Sequence, residues 1–380
     1  MQFDIFCRVV DNYGDIGVCW RLARQLVAEH GCKVQLIVDD LDAFRFVAPQ
    51  VDRAASKQWL SGIEIVAWPL ANTLSPSDVV IEAFACDLPA TYVEAMAARS
   101  VKPVWINLEY LSAEAWVDGI HGMPSQHQRL PLTKYFFCPG FTQASGGLIR
   151  ERPVIPLFSP LSPGERVGER VVEHVSRLNG TPRPPPLTPP PRREGSNASV
   201  LRIFAFAYPH APVHALAHEF ASEGLPSVVT LASPLNQSDP DWHAAPRVAQ
   251  TEFDALLAQF DFLIVRGEDS FIRAQWAAKP FLWHIYPTDD GAHLSKLDAW
   301  LEHYCNRLEP SAAADYRAAS HAFNGAKSEE IQASNYALLA KHINALAAHA
   351  ALWRDTLMQQ TDLATRLLEF VGKHKANNLG

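Results

Sequence analysis

The feature that most constrains the fold is a regular alternation of short apolar runs with amphipathic segments. After the first run, Cys19, Leu22, Ala23, Leu26 and Val27 recur at helical spacing and predict a helix. Strands that are almost wholly apolar and that alternate with helices are typical of a parallel sheet covered on both faces. The strands predicted in this first region are 3–10, 33–39, 63–68, 78–84, 103–110 and 134–140.

The same alternation resumes after residue 200, so the 380-residue chain contains two α/β regions. The elements predicted there are strands at 201–208, 226–233, 260–265 and 279–286, helices at 213–223, 252–259, 269–277 and 291–304, and a helical tail at 328–373 that is interrupted near Trp353. Two Rossmann-like halves with a long helical ending describe the GT-B glycosyltransferase architecture. In that architecture two domains face a central cleft, and the C-terminal domain holds the nucleotide-sugar.

A proline-rich segment, 153–199, separates the two regions. It contains 11 of the chain's 28 prolines. Because proline cannot donate to a strand ladder and the segment has little apolar surface to bury, it is predicted to be a flexible linker or insertion. The expected domains are 1–152, an acceptor-binding domain, and 200–352, a nucleotide-sugar-binding domain. The C-terminal helix, 353–380, is expected to pack back on the N-terminal domain.

Composition excludes several classes of function. The net charge of −8, without a basic stripe, argues against binding to nucleic acid. The first residues have no signal-peptide pattern and no apolar run approaches the length of a membrane span, so we expect a cytoplasmic protein without a membrane partner. The six cysteines show no C-x-x-C spacing and the histidines no metal-ligand spacing, so neither a structural nor a catalytic metal is expected.

The loop after the first predicted strand, "DNYGDIG", carries two aspartates, Asp11 and Asp15. Its two glycines do not form the G-x-G-x-x-G fingerprint of dinucleotide binding. If the loop faces the acceptor across the cleft, one carboxylate can act as a general base and the other can orient the nucleophile. The alternatives are structural: Asp15 can be a helix N-cap and Asp11 can form an Asx-turn.

A second strand-loop-helix junction, "VRGEDS", lies in the C-terminal region. Gly267 permits a sharp turn, and Glu268, Asp269 or Ser270 can cap the following helix. Helix N-termini bind anions, and Arg266 and Arg273 add positive charge, so this junction is predicted to bind a diphosphate. For Glu268 the plain cap remains an alternative. Three aromatic residues inside strands, Trp105, Phe281 and Trp283, are predicted to be core.

Four segments, "CRVVDNYGDIGVCWRLARQL", "NLEYLSAEAWVDGIHGMPS", "FFCPGFTQASGGLIRE" and "VRGEDSFIRAQWAAKPFLWHIYP", resemble the bacterial elongation factor P arginine rhamnosyltransferase family, EarP. The resemblance covers both halves but not the proline-rich insertion. It implies an inverting, metal-independent GT-B enzyme without a cofactor. Such an enzyme transfers L-rhamnose from dTDP-β-L-rhamnose to an arginine of elongation factor P.

The resemblance also assigns roles to residues. It makes Asp15 the general base, Asp11 a second essential aspartate and Glu268 a further acid needed for activity. The donor-binding residues that it implies are Tyr13, Gly14, Phe206, Tyr208, Gln250, Arg266, Gly267, Asp269 and Ser270. Two alternatives stay open: a GT-B nucleotide-sugar enzyme with a small acceptor, and a non-catalytic protein that binds elongation factor P.

Overall fold

The computed structural model describes residues 1–10, 13–152, 200–236, 238–325 and 335–377. Asp11 and the proline-rich segment 153–199 therefore lie outside the described residues. The chain divides into two compact units, unit 1 (Met1–Val154 and Thr356–Gly380) and unit 2 (Ile155–Asp355).

Unit 1 is built around a mainly parallel sheet in the order β3-β4-β2-β1-β5-β6-β8-β7. Its two edge strands, β3 and β7, are antiparallel to their neighbours. The strands are β1 (Gln2–Cys7), β2 (Lys33–Val38), β3 (Lys57–Leu60), β4 (Ile63–Ala67), β5 (Val79–Ala83), β6 (Val104–Leu108), β7 (Pro124–Gln126) and β8 (Thr133–Phe137). The six predicted strands of this region are confirmed, while the short edge strands β3 and β7 were not predicted.

Helices connect these strands as the spacing predicts. They are α1 (Gly14–His30), α2 (Leu41–Val47), α3 (Ala90–Ala98) and α4 (Trp116–Ile120), with a 3₁₀ turn at Trp68–Thr73. The apolar face of α1 is buried, and its Leu22 and Leu26 are fully covered. The helix ends at Gly31, whose φ of 62° is left-handed and whose N–H caps the last turn.

Unit 2 has a five-stranded parallel sheet in the order β11-β10-β9-β12-β13. Its strands are β9 (Leu201–Ala205), β10 (Ser227–Leu231), β11 (His243–Ala244), β12 (Phe262–Arg266) and β13 (Phe281–His284). The four strands predicted there are confirmed, and the two-residue strand β11 was missed. Strand β9 ends three residues before the predicted boundary, so Phe206 and Tyr208 lie beyond the strand rather than in it.

The helices of unit 2 agree with the four predicted positions, and further helices follow them, the last of which extends three residues past the end of the unit at Asp355. They are α5 (Val213–Ser222), α6 (Phe253–Leu257), α7 (Asp269–Ala277), α8 (Ala292–Cys305), α9 (Pro310–Phe323), α10 (Asn335–Lys341) and α11 (Ile343–Met358), with a 3₁₀ turn at Gln250–Glu252. Trp105, Phe281 and Trp283 are each less than one tenth exposed, which confirms their prediction as core. No helix in the described ranges is long and apolar enough to cross a membrane.

The predicted interruption of the tail near Trp353 is wrong. Helix α11 is continuous through Trp353, whose indole Nε1 donates to Gln275 Oε1 at 2.6 Å. The break falls instead before α12 (Leu363–Asn377), where Asp362 caps the new helix by accepting from Thr365 N at 3.1 Å. An aspartate at the N-cap accepts a hydrogen bond from the first turn and therefore marks the start of a helix. A tryptophan is a much weaker signal for the end of one.

The C-terminal helix α12 is part of unit 1. Its apolar residues Leu363, Ala364, Leu367 and Val371 are buried in the same core cluster as strands β1, β2 and β5. Gln25 of α1 donates to Asp362 Oδ1 at 2.9 Å, and Arg150 donates to the carbonyl of Met358 at 2.9 Å. Unit 1 is therefore assembled from both ends of the chain.

Candidate active site

Each sheet has one point at which the strand order reverses direction. In unit 1 it lies between β1 and β5, and in unit 2 between β9 and β12. Ligands of open α/β sheets bind at the carboxyl ends of the strands at such points. A ligand site is therefore expected among the residues that follow these four strands.

In unit 2 the reversal point brings together the residues that follow β9 and β12. The guanidinium carbon of Arg266 lies 4.4 Å from the ring centre of Phe206 and 4.9 Å from that of Tyr208. Nη1 of Arg266 also donates to the carbonyl of Ala207 at 3.4 Å. Three residues predicted from two separate segments thus form two cation–π contacts, and these contacts hold a positive charge at the strand edge.

The turn after β12 has the geometry expected of an anion site. Gly267 has a φ of 61°, a left-handed conformation that favours glycine, and its carbonyl accepts from Trp283 Nε1 at 3.0 Å. The turn leads directly into α7, whose N-terminus carries a partial positive charge. The hydroxyl of Ser270 donates to the carbonyl of Arg266 and so fixes the turn. The positive end of a helix and a guanidinium therefore meet at one place.

Glu268 occupies the N-cap position of α7 but makes no side-chain capping hydrogen bond. The alternative interpretation of Glu268, a side chain that only caps the helix, is therefore not observed. Asp269, the next residue, accepts from Gln250 Nε2 at 2.9 Å and from Arg273 Nε at 3.2 Å. Gln250 and Asp269, both predicted donor-binding residues, are joined directly.

The suggestion that Arg273 adds positive charge for a ligand is wrong. This side chain is 2% exposed and forms ion pairs with Asp254 at 2.8 Å and with Asp269 at 3.2 Å. Its charge is compensated within the unit, because a buried guanidinium requires carboxylate partners.

Two residues at this site were missed from the sequence. His284, at the end of β13, is 2% exposed, and its Nδ1 accepts from the backbone N–H of Tyr208 at 3.2 Å. Burial, with smaller contributions from nearby positive charge, lowers the pKa of His284 to about 3, so the ring is neutral at physiological pH. Tyr286 packs edge-on against Tyr208, with ring centres 5.5 Å apart, and is 58% exposed. Both lie at the carboxyl end of the predicted strand 279–286, and that position was the signal available for them.

In unit 1, Asp15 lies in the first turn of α1, one residue after Gly14 and two after Tyr13, which is the N-cap. Asp15 is therefore not the N-cap of the helix. Its Oδ2 accepts from the backbone N–H of Val10 at 2.7 Å, and the side chain is 2% exposed. The carboxylate is more covered than the sequence suggested for a group that faces a cleft. Asp11, its predicted companion, lies outside the described residues.

Tyr13 and Gly14 lie in unit 1, whereas the other predicted donor-binding residues lie in unit 2. The ring of Tyr13 packs against Phe46 with ring centres 4.8 Å apart. Within the described ranges, no group of three or more His, Cys, Asp or Glu side chains is placed to hold a metal ion.

Comparison with known proteins identifies the family. The family model described as elongation factor P rhamnosyltransferase EarP matches residues 3–239 and 230–372. A protein-arginine rhamnosyltransferase of Pseudomonas putida is 42% identical over 97% of this chain and 98% of its own length. A protein of the same name from Neisseria meningitidis serogroup B is 35% identical, over 98% and 97% respectively.

The chain belongs to the EarP family. A solved structure described as the structural basis for EarP-mediated arginine glycosylation of translation elongation factor EF-P aligns with a TM-score of 0.55 and 29% identity. The alignment covers 98% of this chain and 99% of that one. The predicted fold class, an α/β protein of the GT-B architecture with two Rossmann-like domains, is confirmed, and the protein is a glycosyltransferase enzyme.

Proposed function

We propose that this EarP-family enzyme transfers L-rhamnose from dTDP-β-L-rhamnose to an arginine of elongation factor P, with inversion at the anomeric carbon. The acceptor and the sugar are supported by the names of the relatives, which are protein-arginine rhamnosyltransferases, and by the solved structure concerned with elongation factor P. The observation that carries the donor half of the proposal is the cluster of Arg266, Phe206 and Tyr208 at the reversal point of unit 2.

The donor is proposed to bind this cluster through its three chemical parts. The diphosphate lies at the N-terminus of α7, where the helix dipole and Arg266 offset its charge. The thymine lies against the aromatic residues Phe206 and Tyr208, within reach of Gln250. Because a carboxylate beside a diphosphate would repel it, Glu268 is assigned to hydroxyl groups of the sugar. No cofactor or metal takes part in this scheme.

The proposed transfer is a single displacement. A guanidinium nitrogen of the acceptor arginine attacks the anomeric carbon from the side opposite the diphosphate. A new carbon–nitrogen bond forms while the carbon–oxygen bond to the diphosphate breaks, and its electron pair leaves with dTDP. The proton lost by the nitrogen passes to Asp15, the proposed general base.

A pair of carboxylates suits this nucleophile. The guanidinium is protonated throughout the physiological range, and its nitrogen lone pairs are delocalised, so it is a poor nucleophile by itself. Asp11 and Asp15 can accept hydrogen bonds from separate N–H groups of the planar fork and aim one nitrogen at the sugar. The second aspartate is therefore assigned an orienting role.

The decisive experiment is to incubate the enzyme with dTDP-β-L-rhamnose and elongation factor P and to measure the intact mass of the factor. We expect the gain of one deoxyhexose, located on a single arginine by fragmentation of the modified peptide. An acceptor in which that arginine is replaced by lysine is the matched control and should gain nothing. Tight association without a gain in mass, or sugar transfer to small acceptors only, would contradict the proposal.

A further inference from the structure

A second group of residues lies at the reversal point of unit 1, besides the loop that carries Asp15. Strands β1, β5 and β6 lie side by side in parallel, with Phe6 opposite Glu82 and Glu82 opposite Asn107. Their carboxyl ends are thus level at one edge of the sheet. The residues just beyond these ends are Arg8 after β1, Phe84 after β5, and Glu109 and Tyr110 after β6.

Two of these residues form an aromatic platform, defined here as Phe84 and Tyr110. The rings are stacked, with centres 4.3 Å apart and planes inclined by 15°. Tyr110 is 37% exposed, so the platform is open to solvent on its side of the sheet edge. An exposed aromatic ring is a surface that binds planar cations, and arginine in particular stacks on such rings.

The backbone under the platform is strained. Phe84, Ala85 and Asp87 have φ values of 56°, 51° and 52°, a left-handed conformation that is unfavourable for residues other than glycine. Such strain persists where the surrounding structure enforces it, and it occurs frequently at ligand sites. Here the N–H of Phe84 donates to the carbonyl of Leu108 at 2.7 Å, which fixes the ring of Phe84 beside the end of β6.

A buried amide joins the strained turn to a carboxylate. The Oδ1 atom of Asn107 accepts from the N–H of Ala85 at 3.2 Å, and its Nδ2 donates to Glu109 Oε1. Burial raises the pKa of Glu109. Among the described residues no cation forms an ion pair with this carboxylate, because the nearby Lys134 pairs with Glu82 at 3.2 Å. A half-buried carboxylate of this kind gains from an incoming positive charge.

We propose that the aromatic platform together with Glu109 holds the guanidinium of the acceptor arginine. The flat cation lies on the ring of Tyr110, and Glu109 accepts one of its N–H groups. This inference rests on the proposed function and adds to it the residues that select arginine over a neutral side chain. The carboxylates at this edge favour a positively charged ligand, and the stacked rings favour a planar one.

The test compares Tyr110→Ala and Glu109→Gln with wild type in the full-length enzyme. Both variants should raise the KM for elongation factor P, Tyr110→Ala by about two- to tenfold, as expected for loss of a cation–π contact. The KM for dTDP-rhamnose should not change. Tyr110→Phe is the conservative variant that keeps the ring, and it should rescue most of the rise in KM caused by Tyr110→Ala. Trp59→Ala is the matched control, because Trp59 is an aromatic residue of the same unit that is 71% exposed on strand β3.

A direct binding measurement by calorimetry separates this inference from the proposed function. If wild type modifies elongation factor P but Tyr110→Ala binds and modifies it equally well, the platform is refuted and the function stands. If wild type binds the factor through the platform without modifying it, the function fails and the platform stands. Wild type that neither binds nor modifies the factor overturns both. A higher KM for the donor alone would place the platform at the sugar, against the proposal.

Discussion

The two sheets end in loops of opposite chemical character, although both loops lie at a reversal point. In unit 2 the edge presents a guanidinium held between aromatic rings and the N-terminus of α7. In unit 1 the residues at the corresponding edge include two carboxylates, the buried Asp15 and the half-buried Glu109, and the stacked rings of Phe84 and Tyr110. One topology thus carries a cationic edge in unit 2 and an acidic edge in unit 1, and we propose that they bind an anionic and a cationic group respectively. The side chains placed beyond the strand ends, not the sheets, decide which ligand each unit accepts.

The largest effect on activity should come from removing the carboxylate of Asp15 in unit 1. Asp15→Asn keeps the size of the side chain and its ability to accept from Val10 N–H, but it cannot take a proton. We expect kcat for rhamnosyl transfer to fall about 10²- to 10⁴-fold, the usual contribution of a general base, with little change in the KM for the donor. Initial rates of transfer to elongation factor P measure this.

Asp39→Asn is the matched control for Asp15→Asn. The carboxylate of Asp39 accepts from the N–H of Val9 at 3.0 Å, so both aspartates anchor the same loop. If Asp39→Asn loses as much activity as Asp15→Asn, anchoring of the loop explains the loss and the role of base is contradicted. Thermal melting establishes that both variants are folded.

A smaller effect is expected when the positive charge of unit 2 is removed. Arg266→Met keeps an unbranched side chain but deletes the guanidinium that lies over Phe206 and Tyr208. We expect the KM for dTDP-rhamnose to rise about ten- to a hundredfold, as for loss of a hydrogen bond to a charged group, while the KM for elongation factor P is unchanged. Steady-state kinetics with each substrate varied in turn make the measurement.

Arg202→Met removes a positive charge from the same unit at the other end of the sheet. Arg202 pairs with Asp261 at 2.7 Å near the amino end of β9, away from the strand edge that carries the site. Its loss should leave the donor KM as in wild type. An equal rise in both variants would show that net charge, and not the site, controls donor binding.

The remaining effect concerns stability in acid and leaves activity at neutral pH aside. His284 has its pKa lowered to about 3 by burial, so it is neutral in the folded protein at pH values where it is already protonated in the unfolded chain. This histidine therefore destabilises the fold only as pH falls below about 6.5, by about 1.4 kcal/mol for each pH unit down to the folded pKa. Urea unfolding at a series of pH values measures the slope.

His284→Gln should flatten that slope between pH 6.5 and pH 4 while it lowers stability at neutral pH through the altered contact with Tyr208. Glu109 in unit 1 works in the opposite sense, because a carboxylate with a raised pKa binds its proton more readily in the folded state. An unchanged slope in His284→Gln would show that another group governs the acid sensitivity.

The central strands were predictable because burial on both faces requires near-continuous apolar runs. Strand β5 is buried at all five positions, and so is β6. The edge strands β3 and β7 were missed because strands of three or four residues with exposed side chains have no such pattern. Edge pairing depends on the backbone of the neighbouring strand and leaves little trace in sequence.

The site was partly predictable for a related reason. The turn at Gly267 was predictable, since a glycine after an apolar run indicates a residue in the left-handed conformation. The strained turn at Phe84–Asp87 carries no comparable mark, because residues other than glycine adopt this conformation under tertiary forces that sequence does not display. The role of His284 likewise depends on a backbone N–H that the loop after β9 supplies.

The position of helix α12 has a consequence for how the enzyme is made. Four of its side chains complete the core around the first strands, yet this helix follows all of unit 2 in the chain and is made after it. Synthesis proceeds from the amino terminus, and domains mature as units. The core of unit 1 is therefore completed only after the whole of unit 2 has been synthesised, although the eight strands of unit 1 are made first.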